Sequence, residues 1–141
     1  MNKLGSLLFG GSGGASPFAD IGLLLLRVFA GFAMTTHGIS KVPPSAKLVE
    51  TVAGLGFPLP ELFAWSAGLT ELVGGALLVI GLFTRPAAAL ILFTMLVAAF
   101  SLHGGSPFSE QELALLYGSI AFAFMLVGPG RFSIDALLFK R

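Results

Sequence analysis

Cysteine is absent from this chain of 141 residues. That excludes structural disulfides, thiolate metal sites, iron–sulfur clusters and thiol–disulfide redox chemistry carried by the chain itself. Charge is also scarce. Charged residues make up 11% of the sequence, where a soluble domain needs roughly 25% to keep its surface wet. The formal net charge is +1 and no basic block occurs, so the electrostatic footprint of a nucleic-acid binder is missing. Nucleophile elbow, P-loop, Rossmann glycine pattern and HExxH are likewise missing. There is no internal repeat of the kind that builds inverted-repeat transporters.

What is present is apolar. Hydrophobic residues reach 55% and mean hydropathy is +0.93, so the solvent for most of the surface is lipid. Four stretches approach the ~20 apolar residues needed to cross ~30 Å of hydrocarbon. They run from about Phe18 to Ile39, Glu61 to Phe83, Pro86 to His103, and Leu113 to Val127, the last extended to Gly130. The expected fold is an all-α integral membrane protein, a four-transmembrane-helix bundle forming a single domain over residues 17–141. Residues 1–16, with LLF followed at once by glycines, read as a flexible tether rather than a signal peptide.

The connectors differ in kind. Residues 40–60 are long enough for a short interfacial helix centred on Ser45 to Gly54, with prolines at both ends. The turn Thr84 to Pro86 is tight. Ser109 and Glu112 have the spacing of a capping box before the fourth span. The tail RFSIDALLFKR is amphipathic and is expected along the membrane surface. Lys3, Arg85, Arg131, Lys140 and Arg141 fall on one side of the bilayer, Lys41 and Lys47 on the other. The positive-inside rule then places both termini in the cytoplasm.

Two charges interrupt the spans. Arg27 and Glu71 would each cost several kcal/mol in hydrocarbon unless paired or facing a polar cavity. Measured down from the shared 40–60 loop, both lie some 15–18 Å deep at ~1.5 Å per residue. A structural Arg27–Glu71 ion pair is the expectation. Gly31 and Met34 share the arginine's face, Gly68 and Gly75 that of the glutamate, and small residues would let the helices approach closely.

A second polar set gathers near the opposite surface from the termini. His37 ends the first span, His103 the third, Glu61 starts the second, and Tyr117 lies one turn into the fourth. Thr35, Thr36 and Ser101 add hydroxyls, and Lys41 follows His37. Taken singly, each has an ordinary explanation: the histidines and Tyr117 as interfacial anchors, Lys41 as a snorkelling cation. Taken together, they suit proton transfer, since histidine carries protons near neutral pH. A quinone headgroup could draw hydrogen bonds from His37, His103 and Tyr117, with Glu71 and Glu61 relaying protons. A b-type haem ligated by His37 and His103 is disfavoured by the small bundle and shallow depth. Two histidines and a carboxylate make an incomplete metal site, so no metal is assigned.

The segments LLLLRVFAGFAMTTHGISKV, AGLTELVGGALLVIGLFTRPAAALILFTMLVAA and GPGRFSIDALL resemble the DoxX family of small four-span bacterial membrane proteins. The resemblance lies in Arg27, Gly31, His37, Gly38 and Lys41, then Glu71, Gly74, Gly75, Gly81 and Arg85, and finally Gly128, Gly130, Ser133 and Asp135. It implies a bacterial inner-membrane location and a place in quinone-linked redox complexes. One family member is a membrane subunit of thiosulfate:quinone oxidoreductase, and others resemble membrane partners of thiol-stress or detoxification proteins. On that basis His37, Lys41 and Glu71 are the leading site residues, and an electron-supplying partner subunit is expected. The alternatives are a non-catalytic assembly subunit and a proton-coupled small-solute transporter using Glu71.

Overall fold

The computed structural model describes residues 16–139. Among these the chain is helical, without strands, and four of its helices are long and apolar enough to cross a membrane. We number the helices α1 (Pro17–Ile39), α2 (Ala46–Gly54), α3 (Pro60–Ile80), α4 (Thr84–Leu102), α5 (Phe108–Val127) and α6 (Ile134–Leu138). The expected tether at residues 1–16 lies almost wholly outside the described residues.

Local chemistry sets most of the boundaries. Ser16 caps α1 by accepting from the Ala19 amide, and Pro17 occupies the first turn, where its missing N–H costs nothing. Ser45 caps α2 in the same way, through the Leu48 amide. The capping box expected at Ser109 is not used. Pro107 stands at the N-cap and α5 starts at Phe108, so the fourth span gains its length at this end rather than through Gly128 to Gly130.

Large apolar side chains cover the outside: Phe29, Phe32, Leu90, Phe93 and Leu126 are all exposed. Inside, Met34, Leu78, Ile91, Met95 and Phe124 pack with Ala88, Ala99, Ala114 and Ala121. The small residues bring α4 and α5 together, and a Cβ on Gly118 would meet Met95 at 3.5 Å.

The α1–α3 seam is tighter. A Cβ on Gly31 would lie 2.7 Å from the Gly75 carbonyl oxygen, and one on Gly75 would lie 2.6 Å from the Thr35 nitrogen. A Cβ on Gly38 would collide with the Leu72 backbone. The expected glycine seam is therefore present, and its register reveals a stagger. Gly38, at the end of α1, meets Leu72 in the middle of α3. Arg27, in the middle of α1, meets Gly81 just past the end of α3.

The first half of α3 continues beyond α1 and is flanked by α2. That stagger is why Arg27 and Glu71 do not pair. A shared loop lying flat would put the two charges level, whereas residues 40–59 accompany α3 over about two turns before the chain reverses, with Lys41 against Gly68. Arg27 is instead buried at the termini end. Its guanidinium donates to the Pro129 carbonyl at 2.8 Å and the Phe132 carbonyl at 2.6 Å, with Asp135 supplying nearby opposite charge.

Asp135 does more than balance charge. Its carboxylate accepts from the amides of Phe83 at 2.8 Å and Thr84 at 2.9 Å, and its own amide donates to Gly81 at 2.8 Å. This carboxylate sits at the α4 N-terminus, where orphan amides and the helix dipole favour an anion. It also holds Phe83 at φ +48°, a left-handed conformation that a bulky residue rarely adopts. Asp20, itself buried, accepts from the Arg131 amide at 3.0 Å. The tail segment 128–139 is thus a packed closure of the termini end.

Candidate functional site

Lys41 lies in the connector two residues past α1. Its amide donates to the Gly38 carbonyl at 3.0 Å as the helix ends, which turns the side chain back toward α3. The ammonium reaches both carboxylate oxygens of Glu71, at 2.7 and 2.8 Å. Glu71 is 2% exposed and the Lys41 side chain 37%. The lysine read from sequence as a snorkelling cation is therefore the partner of the buried glutamate.

Backbone irregularity marks the same level. Thr70–Gly74 in α3 and Ala98–Leu102 at the end of α4 are π-helical turns, a form that often occurs at functional sites. Glu71 lies within the first turn. Ala98 and Leu102, from the second, line the cavities on both sides of the ion pair.

On one side is an apolar chamber of about 260 Å³ between α2, α3 and α4. Leu48, Phe57, Phe63, Phe93 and Val97 form its walls, with Lys41 and Glu71 at its polar end. Phe57 and Phe63 pack with ring centroids 4.8 Å apart. The Thr51, Ser66 and Thr94 hydroxyls donate to their own helix backbones. Leu90 and Phe93, exposed on the flank of a spanning helix, place the chamber's mouth toward lipid.

On the other side is a more polar cavity of about 190 Å³ between α1, α4 and α5. It brings His37, Lys41, Glu71, His103 and Tyr117 together, as the sequence suggested. His37 meets Tyr117 edge to face, with centroids 5.9 Å apart. Glu110, which is not among the residues expected from sequence, joins them, its Oε2 3.9 Å from His103 Nδ1. Its signal was available: a Gly-Gly-Ser-Pro turn folds the start of α5 back onto the end of α4. Gln111 holds that turn by donating to the carbonyls of His103 at 3.0 Å and Ser106 at 3.1 Å.

Other expected members are elsewhere. Glu61 begins α3 ten residues before Glu71, about 15 Å away along the axis, and lines a groove with Val49 and Trp65. The Thr35 and Thr36 hydroxyls donate to the Gly31 and Ala33 carbonyls, so they serve their own helix. Arg27 belongs to the termini end. Among the described residues no group of three or more His, Asp or Glu side chains could hold a metal ion.

Residues 22–104 match the DoxX family model. The Bacillus subtilis (strain 168) protein named "Putative oxidoreductase CatD" is 33% identical over 124 residues, covering 86% of this chain and 90% of its own length. Two Escherichia coli (strain K12) proteins are also similar. Inner membrane protein YphA is 33% identical over 80% of this chain and 87% of its own length. Inner membrane protein YqjF is 31% identical over 86% of this chain and 95% of its own length. No solved structure matches.

Proposed function

The chain belongs to the DoxX family, and we propose that it is the membrane subunit of a quinone-linked oxidoreductase in the bacterial inner membrane, both termini cytoplasmic. The observation that supports this most is the Lys41–Glu71 pair set between a lipid-facing apolar chamber and a polar cavity. A quinone needs apolar room for its ring, hydrogen-bond donors for its carbonyl oxygens and a source of protons. The chamber supplies the first. Lys41 supplies a donor, because an ammonium has three N–H groups and two of them serve Glu71.

Size agrees with a headgroup rather than a whole molecule. About 260 Å³ lies just under the ~300 Å³ at which ordinary ligand pockets begin. A long apolar tail would leave past Leu90 and Phe93 into lipid. The 190 Å³ between His37 and His103 argues against a porphyrin there. Converting a quinone to a quinol takes two electrons and two protons. With no cysteine and no cofactor motif in the chain, the electrons would come from a redox partner subunit. His37, Tyr117 and His103 serve proton exchange with the Glu71 side of the site.

Trp65, the single tryptophan, lines the adjacent Glu61 groove one residue before Ser66 of the chamber wall, and serves as the fluorescent reporter. The purified chain in nanodiscs is titrated with a short-tailed benzoquinone, and Trp65 fluorescence is followed. Saturable quenching that disappears in Glu71→Gln and Lys41→Met supports the site. Quenching that rises linearly, as simple partitioning into lipid does, and is the same in both variants rejects it. In that case a non-catalytic assembly subunit is the better reading.

A further inference from the structure

Glu71 is almost fully buried, yet the cavity it borders also reaches Glu110, which is 57% exposed at the loop end of the bundle. Between them the lining carries His103, Tyr117 and His37. At about 190 Å³ the cavity has room for several waters, and the titratable side chains on its lining offer them polar partners. The apolar chamber across the ion pair has no comparable run of titratable groups.

We infer that this cavity is a one-sided proton inlet, with Glu110 and His103 at its mouth, His37 and Tyr117 along its wall, and the Glu71 carboxylate at its end. Protons and lipid-soluble ligand therefore reach the Lys41–Glu71 pair from different directions. Water enters by the loop end between α1, α4 and α5, and ligand enters sideways between α2 and α4. The titratable and charged groups facing Glu71 are His37 and Lys41 from α1 and its connector, His103 after α4, and Glu110 and Tyr117 from α5. The α2 residues lining the site, Leu48, Thr51, Val52 and Leu55, carry no charge. The inlet rests on the quinone reading only for what consumes the proton.

The lack of cysteine makes a direct test clean. Single-cysteine variants Ala114→Cys (inlet wall), Phe93→Cys (chamber mouth) and Ala121→Cys (core) are placed in nanodiscs. Each is exposed to a charged ethylammonium methanethiosulfonate or to a membrane-soluble maleimide. The inlet requires Ala114→Cys to react with the charged reagent at least several-fold faster than the other two. Phe93→Cys should prefer the membrane-soluble reagent. Equal and slow charged-reagent labelling at 114 and 121 overturns the inlet, whatever the quinone titration shows.

A kinetic measurement separates a relay from a merely packed cluster. In Lys41→Met the unpaired Glu71 carboxyl is followed by infrared difference spectroscopy after a pH jump, with Lys41→Met/Glu71→Gln identifying its band. Adding Glu110→Gln or His103→Ala should slow the band's appearance several-fold while leaving the titration midpoint in place. An unchanged rate removes both residues from the route.

Discussion

The ammonium of Lys41 bridges both oxygens of the Glu71 carboxylate from a connector beyond the end of its own helix. The contact joins the α1–α2 connector to the middle of α3. It leaves a buried carboxylate dependent on one partly exposed cation. Lys41→Met should cost about 3–5 kcal/mol of stability, because removing one partner strands the other charge. Lys41→Met/Glu71→Leu should recover most of that loss. Denaturant titrations in detergent micelles measure both, and an unaffected single variant would mean that the pair adds nothing to the fold.

His37 is exposed on α1 and touches Tyr117 edge to face. Such a ring contact is worth about 0.5–1.5 kcal/mol. His37→Ala should therefore lower the melting temperature only slightly, and Tyr117→Phe less still. If His37→Ala also weakens the quinone-dependent quenching of Trp65 several-fold, the imidazole acts in the site. A large drop in melting temperature would instead assign His37 a packing role.

Gly38→Ala introduces a Cβ where the Leu72 backbone stands. Neither backbone can yield without parting α1 from α3, so a loss of roughly 1–3 kcal/mol is expected, as for an overpacked core. Gly22→Ala, where a Cβ meets nothing within 4 Å, is the control and should be neutral or slightly stabilising, since alanine favours a helix over glycine. Melting of the two variants side by side tests the stagger itself.

Asp135→Ala removes the acceptor for the Phe83 and Thr84 amides and frees a strained backbone at φ +48°. Hydrogen bonds to a charged group contribute about 1.5–3 kcal/mol, and the loss should fall on the 128–139 segment. Limited proteolysis should then cut between Gly128 and Phe139 faster than in the unmodified chain. Equal cleavage rates would show that Arg27 and Asp20 secure the tail without the Asp135 carboxylate.

Much of the fold was legible in the residues. Length and hydropathy found the four spans, Ser45 and the flanking prolines marked α2, and Gly31 and Gly75 foretold the close α1–α3 seam. Pairing was less legible. Arg27 and Glu71 were placed at one level by counting residues, and the count failed because the 40–59 segment follows α3 instead of lying across its end. Main-chain acceptors such as the Pro129 and Phe132 carbonyls leave no mark in side-chain identity. His37, Lys41, Glu71, His103 and Tyr117 do share a cavity, since each borders the same end of the space between α1, α4 and α5. Glu110 precedes the apolar run and so carries no mark of the site in hydropathy, and Glu61 falls outside the site because the first half of α3 extends beyond α1.

The partners of Arg27 also impose an order on biogenesis. The guanidinium enters with the first span, but the carbonyls that receive it lie 102 and 105 residues further along. At about 5–20 residues per second of synthesis, roughly 5–20 seconds separate the charge from its acceptors. Over that interval the helix must keep its arginine near water or against the insertion machinery. The seat of Arg27 is complete only once residues 129–132 have been made, so the first helix gains its full set of contacts late in synthesis.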